Sequence, residues 1–294
     1  MLPQDMPADA ALVERFVQLL DTPTDPRMVC VQARCDHGVK SVDIDRPTLA
    51  LLLRGTKRLR SGAQAGQFGP GDLLAMAPGT RIDAINLPDP HEGRYLTLSL
   101  PLCDEVLAAA RLVWPHPVQP SGMGFHRVPS GALLAELSAL ADAVEADDEL
   151  HARLAVLNLL ARLARQGCTD LLLPPAPSAA ARVRALVAEK PGRAWPSADV
   201  EQALGTSGAT LRRHLAAEGT TLREVIAQAR LACALDLLYT TRWPVKTVAQ
   251  HVGYRSAESF ARRFRERYGL DAAAIGNAAP DAGVQPVTPM PRAA

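Results

Sequence analysis

The sequence lacks the features that would place the protein in a membrane or outside the cell. Its 294 residues contain no uninterrupted apolar run of eighteen or more, so no membrane-spanning helix is expected. The first residues carry acids where a signal peptide needs a basic start. The five cysteines are odd in number and scattered, which is typical of a chain without structural disulfides. We therefore expect a cytoplasmic protein.

The sequence also lacks the signatures of several common enzymes. Its seven histidines include no His-x-His pair, whereas a metal-dependent β-barrel enzyme needs imidazoles and a carboxylate around one ion. It contains no Gly-x-Ser-x-Gly elbow and no glycine-rich loop that could hold a phosphate. We therefore predict no enzyme, no metal and no cofactor.

The small net charge of +1 hides an asymmetry between the two parts of the chain. Residues 178–294 contain 16 basic and 10 acidic side chains, and residues 1–177 contain 16 and 21. Residues 242–267 alone hold seven basic and two acidic side chains. This excess favours a polyanionic partner for the C-terminal part.

The N-terminal part alternates between helical and strand-like patterns. Residues 9–21 have the apolar spacing of a short amphipathic helix, and helical spacing returns at 103–113 and, as two helices, within 131–166. Short apolar segments bounded by glycine and proline turns predict a small antiparallel β-barrel or sandwich. The predicted strands are 28–33, 48–54, 72–77, 81–87 and 94–100.

The C-terminal part reads as helices and turns only. The predicted helices are 179–189, 198–204, 208–217, 222–239, 245–252 and 257–268. The fourth opens with Thr221 and Glu224, which form a capping-box pattern. The fold class is therefore α+β with two domains. We divide the chain into an N-terminal domain (1–128), a helical connector (129–170), a proline-rich linker (171–180), an all-helical domain (181–275) and a disordered tail (276–294).

The most informative segment is residues 245–268. Apolar residues lie on one face of a first helix and aromatic residues on one face of a second: Val245, Val248, Ala249 and Val252, then Phe260, Phe264 and Tyr268. Gly253 supplies a tight turn between them, so the pattern is that of a helix-turn-helix. Arginine and small residues occupy the opposite face of the second helix. An arginine in this position can bind guanine O6 and N7 in the major groove.

The same unit occurs once more, 49 residues earlier. Ser207, Leu211, Arg213 and Leu215 correspond to Ser256, Phe260, Arg262 and Phe264. The intervening helix, 222–239, is about 27 Å long at 1.5 Å per residue. That length could hold two recognition helices in successive major grooves, which lie about 34 Å apart.

Ordered motifs across residues 182–270 resemble the double helix-turn-helix domain of AraC/XylS-type transcription regulators. They are Leu204 to Gly219, Arg230, Ala234, Leu237, Leu238, Val248-Ala249, Val252 to Tyr254 and Ser259 to Arg265. By this resemblance the base-reading face comprises Ala209, Arg212, Arg213, Ala257, Glu258, Ala261 and Arg262. Phosphate contacts and further DNA contacts are implied for Ser207, Thr210, Arg255, Ser256 and Arg265.

One departure from the family concerns the chain after Gly269. The family continues with a proline and an aromatic-arginine ending, whereas this chain continues Leu270-Asp271-Ala272-Ala273-Ala274-Ile275. We therefore expect the last turn of the second recognition helix to be less well fixed.

The N-terminal part more loosely resembles the cupin-like effector domain of one branch of that family. The resemblance rests on residues 46–57, 68–74 and 95–100. It implies a barrel that binds a small effector or mediates dimerisation. A pocket is implied that would be lined by Leu51, Leu53, Leu74, Met76, Leu96 and Leu98. The same residues would also serve as plain core, because a barrel of this size can be filled by its own side chains.

The resemblance therefore implies a sequence-specific DNA-binding transcription regulator of AraC/XylS type, whether activator or repressor. Its expected partners are double-stranded promoter DNA, RNA polymerase, an unidentified small effector and a second copy of the chain; a membrane is not among them. Two alternatives stay open. One is a redox- or electrophile-sensing regulator that acts through Cys30 and Cys35, whose reactivity Arg34 and Lys40 would promote. The other is a cupin-type metalloenzyme fused to a DNA-binding domain.

Overall fold

The chain consists of two compact units in the computed structural model, which describes residues 7–21, 29–174 and 178–275. The units are Met1–Pro175 and Ala176–Ala294. Among the described residues, the first unit contains all the strands and the second contains only helices and turns. The predicted α+β class with two domains is confirmed. The predicted disordered tail lies outside the described residues.

The first unit is built on two antiparallel sheets. The strands are β1 Val29–Ala33, β2 His37–Ile44, β3 Thr48–Arg54, β4 Thr56–Ser61, β5 Gln64–Phe68, β6 Asp72–Met76, β7 Thr80–Leu87, β8 Tyr95–Pro101 and β9 Phe125–Pro129. The five-stranded sheet has the order β1-β8-β3-β6-β9, and the four-stranded sheet has the order β2-β7-β4-β5. Five of these strands match the predicted ones, whereas β2, β4, β5 and β9 were not predicted.

Four helices complete the first unit. They are α1 Ala8–Asp21, α2 Asp104–Val113, α3 Leu134–Glu145 and α4 Glu149–Arg165, with short 3-10 turns at Ser130–Leu133 and Thr169–Leu172. All four contribute side chains to one apolar cluster with one face of the five-stranded sheet. The helices that the sequence placed in a connector, 129–170, thus share a core with the strands.

The five-stranded sheet is buried on both faces. Along β3, Leu49, Leu51 and Leu53 point to the helices, and Ala50 and Leu52 point to the other sheet. This division follows from the two-residue period of a strand. It also explains why β3 and β6 read as continuous apolar runs: both of their faces are covered.

A glycine carries the chain from one sheet to the other. Gly55, between β3 and β4, has φ of 80°, a region that residues with a side chain rarely adopt. A Cβ atom there would collide with the Leu87 carbonyl oxygen. The preceding Arg54 is 12% exposed and forms ion pairs with Glu14 of α1 and Glu92, at 2.7 and 2.9 Å. Through the ion pair with Glu14, the turn between β3 and β4 therefore also holds α1 in place.

A buried polar network crosses the four-stranded sheet. His37 donates from Nδ1 to the Cys35 carbonyl oxygen at 2.9 Å, and its Nε2 accepts from Asn86 at 3.3 Å. Lys57 donates to the Asn86 amide oxygen at 2.9 Å and to the Tyr95 hydroxyl at 3.3 Å. These contacts suit a neutral imidazole. Burial lowers the pKa of His37 below its ordinary value of 6.5.

The lowered pKa of His37 predicts that the first unit loses stability in mild acid. The unfolded chain takes up a proton near pH 6.5 that the folded chain resists, so this contribution is complete above pH 6.5 and falls as the pH drops below it. For a single proton this slope cannot exceed about 1.4 kcal/mol per pH unit. Urea unfolding, followed by Trp114 fluorescence in a Trp195→Phe/Trp243→Phe background, measures it. His37→Gln should flatten the dependence between pH 7 and 5.5, and an unchanged slope would contradict the assignment.

Residues 178–275, the described part of the second unit, form six α-helices. They are α5 Ala179–Glu189, α6 Ser197–Leu204, α7 Gly208–Ala217, α8 Leu222–Thr240, α9 Val245–His251 and α10 Ala257–Tyr268, followed by a 3-10 turn at Ala272–Ile275. The predicted capping box is present at the start of α8, where Thr221 and Glu224 bond reciprocally to backbone amides. The first part of the core lies between α5, α6, α7 and the beginning of α8.

Candidate DNA-binding surface

The second unit contains two helix-turn-helix pairs, α6–α7 and α9–α10. The first helix of each pair begins directly after a proline, Pro196 or Pro244. The second helix of each pair begins after a serine, Ser207 or Ser256, whose side chain accepts a hydrogen bond from the backbone amide three residues later, at 3.3 and 3.2 Å. This N-cap compensates for amides that have no partner within the helix. The two recognition helices therefore start in the same way, 49 residues apart.

Each recognition helix is held by one apolar face. Leu211 and Leu215 of α7 are buried, as are Phe260, Phe264 and Tyr268 of α10. In α10 the ring centroids of successive aromatic residues lie 5.4 and 4.9 Å apart, distances typical of favourable aromatic pairs. The same spacing that buries these side chains directs the residues between them away from the core.

The predicted DNA-contacting residues lie on the opposite, accessible side of these helices. Ten are exposed and two, Thr210 and Ala261, are half-buried; the ten are Ser207, Ala209, Arg212, Arg213, Arg255, Ser256, Ala257, Glu258, Arg262 and Arg265. The structure thus groups them by recognition helix, as the sequence predicted. Their contact with bases or phosphates stays a prediction.

Most of the arginines on this surface have no counter-charge. Within the described part of the chain, four of them form neither a hydrogen bond nor an ion pair: Arg212, Arg213, Arg255 and Arg262. Their guanidinium groups retain all five N–H donors for an external acceptor. This pattern is what binding to a base edge or a phosphate requires.

Three predicted contacts are already engaged within the protein. The Ser207 and Ser256 side chains cap their helices. Arg265 forms an ion pair with Asp271, which follows the end of α10. That pair, the left-handed cap at Gly269 and the buried Ile275 hold the segment after α10. The expectation that the last turn of this helix is less well fixed was therefore wrong, because Asp271 and Ile275 supply contacts of their own.

The two helix-turn-helix pairs are connected by side-chain hydrogen bonds as well as by helix α8. Arg230, in the middle of α8, donates to the carbonyl oxygens of Pro191 at 2.9 Å, Arg193 at 2.8 Å and Gly253 at 3.5 Å. The first two belong to the loop before α6, and the third belongs to the turn before α10. Gly192 packs there so closely that a Cβ atom would lie 2.6 Å from the His251 carbonyl oxygen. One guanidinium thus connects both pairs.

Sequence reasoning did not assign this connection. The sequence pattern marks Arg230 only as part of the family resemblance and does not mark Gly192. The sequence does indicate that the two helix-turn-helix pairs are preceded by similar segments, because the dipeptide Trp-Pro occurs at Trp195-Pro196 and again 48 residues later at Trp243-Pro244. Both prolines precede the first helix of a pair, where the fixed proline φ suits a helix start.

The six residues predicted to line an effector pocket do not share a surface. Leu51, Leu53, Leu96 and Leu98 belong to the cluster beneath the helices, and Leu74 and Met76 belong to the cluster between the sheets. All six are buried. The pairing of Leu51 with Leu73 across β3 and β6 explains the division, because it places Leu74 on the other face.

The first unit has a groove elsewhere, along β5 and β9. It encloses about 570 Å³ and is lined on one side by Gln64 and Phe68 and on the other by Phe125, His126 and Arg127. Its volume lies in the range of small-molecule sites. None of the six predicted pocket residues lines it.

The remaining sequence alternatives gain no support from the geometry of the described residues. Cys30 lies on β1 and packs against the apolar core, whereas Cys35 is exposed after that strand. Burial, together with the charge of Asp170, raises the pKa of Cys168 to about 11, which makes its thiol unreactive. Among the described residues, no three histidine, cysteine or acidic side chains are grouped as a metal would require.

A family model described as a helix-turn-helix domain matches residues 200–275, which include both recognition helices. The C-terminal unit is an AraC-type helix-turn-helix domain. The chain is 42% identical to the ornithine utilization regulator of Pseudomonas aeruginosa over 88 residues, which are 29% of this chain and 25% of that protein. It is 32% identical to the urease operon transcriptional activator of Escherichia coli over 85 residues, or 29% of each chain. The chain thus spans less than a third of the length of these relatives.

The AraC-type domain and the first unit together have the fold of a solved protein. The apo form of a single-residue variant of ToxT from Vibrio cholerae superposes with a TM-score of 0.61, at 13% identity, over 85% of this chain and 97% of that one. Wild-type ToxT bound to an unsaturated fatty acid superposes with a TM-score of 0.59, at 14% identity, over 84% of this chain and 92% of that one.

The regulator YdeO of E. coli is a relative by sequence. It is 29% identical over 154 residues, which are 52% of this chain and 60% of that one.

Proposed function

We propose that this chain regulates transcription by binding promoter DNA through α7 and α10. The observation that carries the proposal is the pair of accessible faces, 49 residues apart, on which four of the five arginines have no acidic partner in the described structure. Named regulators among the relatives support it. A transcription regulator binds chromosomal DNA, so the proposal includes a cytoplasmic location. It also includes contact with RNA polymerase.

Fluorescence anisotropy with duplexes from upstream of its own gene tests this function. Salt-dependent, saturable binding that prefers one duplex over its shuffled counterpart is expected. Arg212→Ala and Arg262→Ala should each weaken selective binding by about 1–3 kcal/mol, the cost of a lost base contact. Arg58→Ala, an exposed arginine of β4 in the first unit, is the matched control and should leave binding unchanged. Equal affinity of wild type and variants for all duplexes would refute the assignment of the base-reading faces.

The first unit is proposed to bind a small effector in the groove along β5 and β9. The ToxT structure that holds an unsaturated fatty acid supports an effector with an apolar body and a carboxylate. Arg127 would meet such a carboxylate, and it is already oriented by an ion pair with Asp72 at 2.8 Å. Phe68 and Phe125, with ring centroids 5.7 Å apart, would contact the apolar body.

A homodimer through α4 is proposed because this helix leaves an apolar stripe uncovered in its own unit. Leu150 and Leu154 are 64% and 45% exposed, and the half-buried Leu157 and Ala161 continue the stripe with alternating spacings of four and three. That spacing is typical of a coiled-coil seam. In an antiparallel pair of α4 helices, Leu154 would face Leu157 of the second copy, and Glu149 would face its Arg162. The stripe is thus complementary to itself, as a twofold interface requires.

Leu154→Glu should therefore convert a dimer into a monomer. Two buried leucines would be lost from the interface and two like charges would approach each other, so we expect dimerisation to weaken by about 3 kcal/mol or more. Sedimentation equilibrium of the full chain measures this. Ile85→Glu, on the four-stranded sheet at a similar exposure of 42%, serves as control. A dimer that survives Leu154→Glu but not Ile85→Glu would place the interface on the sheet.

A further inference from the structure

The AraC-type domain contains a cleft that the proposed DNA contacts do not use. It is bounded by the first half of α8, by Trp195 before α6, by Tyr254 in the turn before α10, and by Arg263 of α10. It encloses about 450 Å³ and opens to solvent. Its volume is that of a small-molecule site.

Of the residues that the structure describes, three arginines and no acidic residue line this cleft. They are Arg223, Arg230 and Arg263. Arg223 and Arg263 have no carboxylate partner among the residues that the structure describes. Three like charges around one concave surface repel each other and raise the local potential. An anion in the cleft would relieve this repulsion.

Arg230 gives the site a fixed donor. Its guanidinium is oriented by the carbonyl oxygens of Pro191, Arg193 and Gly253. Carbonyl groups position the side chain without neutralising its charge, and an arginine has five N–H donors, so two remain. A planar oxoanion, such as a carboxylate, suits this arrangement because arginine can bind both of its oxygens.

The rest of the cleft is apolar. Leu222, Ile226 and Ala227 of α8 contribute aliphatic surface, and the rings of Trp195 and Tyr254 contribute aromatic surface. The indole is held in place: its Nε1 donates to the Lys190 carbonyl oxygen at 3.2 Å, and the Arg193 guanidinium lies 4.5 Å from the ring centroid. Such walls favour a ligand with a flat apolar body over a fully hydrated ion.

The position of Arg263 on α10 separates this cleft from the base-reading face. At about 100° per residue, Arg263 points about 150° away from the mean direction of Glu258, Ala261, Arg262 and Arg265. A helix whose base-reading face lies in a groove thus directs Arg263 away from the bases. Arg263 is thus available to an anion other than the base edges that α10 is proposed to contact.

We propose that this cleft binds a small organic anion, with its carboxylate at Arg223, Arg230 and Arg263 and a flat apolar body between Trp195 and Tyr254. The site lies wholly within the AraC-type domain, so it is separate from the groove proposed for an effector in the first unit. Binding here requires no DNA, which allows the site and the DNA-binding function to be tested independently.

Isothermal titration of the DNA-free full chain with 1-naphthoate tests the site. One saturable site that persists in Arg127→Gln is expected, and 1-naphthamide, which has the same ring system and no charge, should bind at least tenfold more weakly. Arg263→Gln and Arg223→Gln should each weaken naphthoate binding about tenfold, the effect of losing one charge-assisted hydrogen bond. Ala227→Leu, which fills the cleft without changing a charge, should also abolish binding. Arg242→Gln, an exposed arginine outside the cleft, should leave it unchanged.

Three results would overturn the proposal. The first is that the wild-type chain shows no saturable binding. The second is loss of binding in Arg127→Gln and not in Arg263→Gln, which would place the ligand in the groove along β5 and β9. The third is that duplex DNA displaces naphthoate and that the amount displaced keeps rising with DNA concentration. The cleft would then hold a DNA phosphate. Circular dichroism of each variant confirms that the domain is folded.

Discussion

Phe264→Ala is expected to destabilise the AraC-type domain by about 3–5 kcal/mol, the usual cost of removing a buried aromatic ring. Phe264 is fully buried and lies between Phe260 and Tyr268, which hold α10 against the rest of the unit. Its loss would leave a cavity beneath the second recognition helix. Urea unfolding followed by Trp243 fluorescence, in a Trp114→Phe/Trp195→Phe background, measures the change.

The duplicated architecture supplies a matched comparison for this prediction. Leu215 occupies the equivalent position beneath α7 and is also buried, so Leu215→Ala should cost about 2–5 kcal/mol in the same unit. Leu112→Ala, in an exposed position of α2, should have almost no effect. If Phe264→Ala left the stability unchanged, α10 would not be held by its aromatic face.

Phe16→Ala should destabilise the first unit by about 3–5 kcal/mol. Phe16 is fully buried and belongs, with Leu12 and Val13 of α1, to the cluster shared by the sheet and the four helices. The helix is therefore part of the core and not a detachable segment. Urea unfolding followed by Trp114 fluorescence reports this unit.

Two variants control for a general effect of shortening side chains. Val113→Ala removes an exposed apolar side chain at the end of α2 and should change stability by less than about 0.5 kcal/mol. Glu14→Gln removes one ion pair of Arg54 and should cost less than Phe16→Ala, because Glu92 still neutralises that arginine. A loss in Phe16→Ala no larger than in Val113→Ala would contradict the packing of α1.

The helices of the second unit were predictable almost to the residue. Three of the six have the predicted limits, among them α7 and α10, and the others differ by one residue at one end. The reason is that each helix has both an apolar stripe and a local start signal, such as Ser207, Ser256 or the capping box at Thr221. Local and tertiary preferences agree there, so a single sequence is sufficient.

The missed strands belong to places where the sequence carries little apolar signal. In β4, Leu59 is the single buried residue of six, and β5 buries only Phe68. Such strands exist because backbone hydrogen bonds complete the sheet, from β4 to β7 and from β5 to β4, a contribution that side-chain patterns do not reveal. The likeness of this unit to a cupin barrel accordingly stays a prediction.

The proposed sites were predictable only as far as local spacing determines them. Helical periodicity placed Arg212 and Arg262 on exposed faces, but it could not show that Arg265 has a partner in Asp271. The predicted lining of the effector pocket was wrong for a related reason. Alternation along a strand identifies its two faces, but the register between strands decides which residues of neighbouring strands share a face. The cleft around Arg230 depends on contacts between segments far apart in sequence.

The bonds that Arg230 makes to both helix-turn-helix pairs limit which DNA sequences the domain can bind with both recognition helices at once. One inserted base pair moves the second half-site by about 3.4 Å and turns it by about 34° around the duplex axis. A hinged pair of motifs could follow that change, whereas a pair fixed by one guanidinium and by the close packing at Gly192 cannot. On the proposed function, the spacing between the two half-sites is therefore set by the protein.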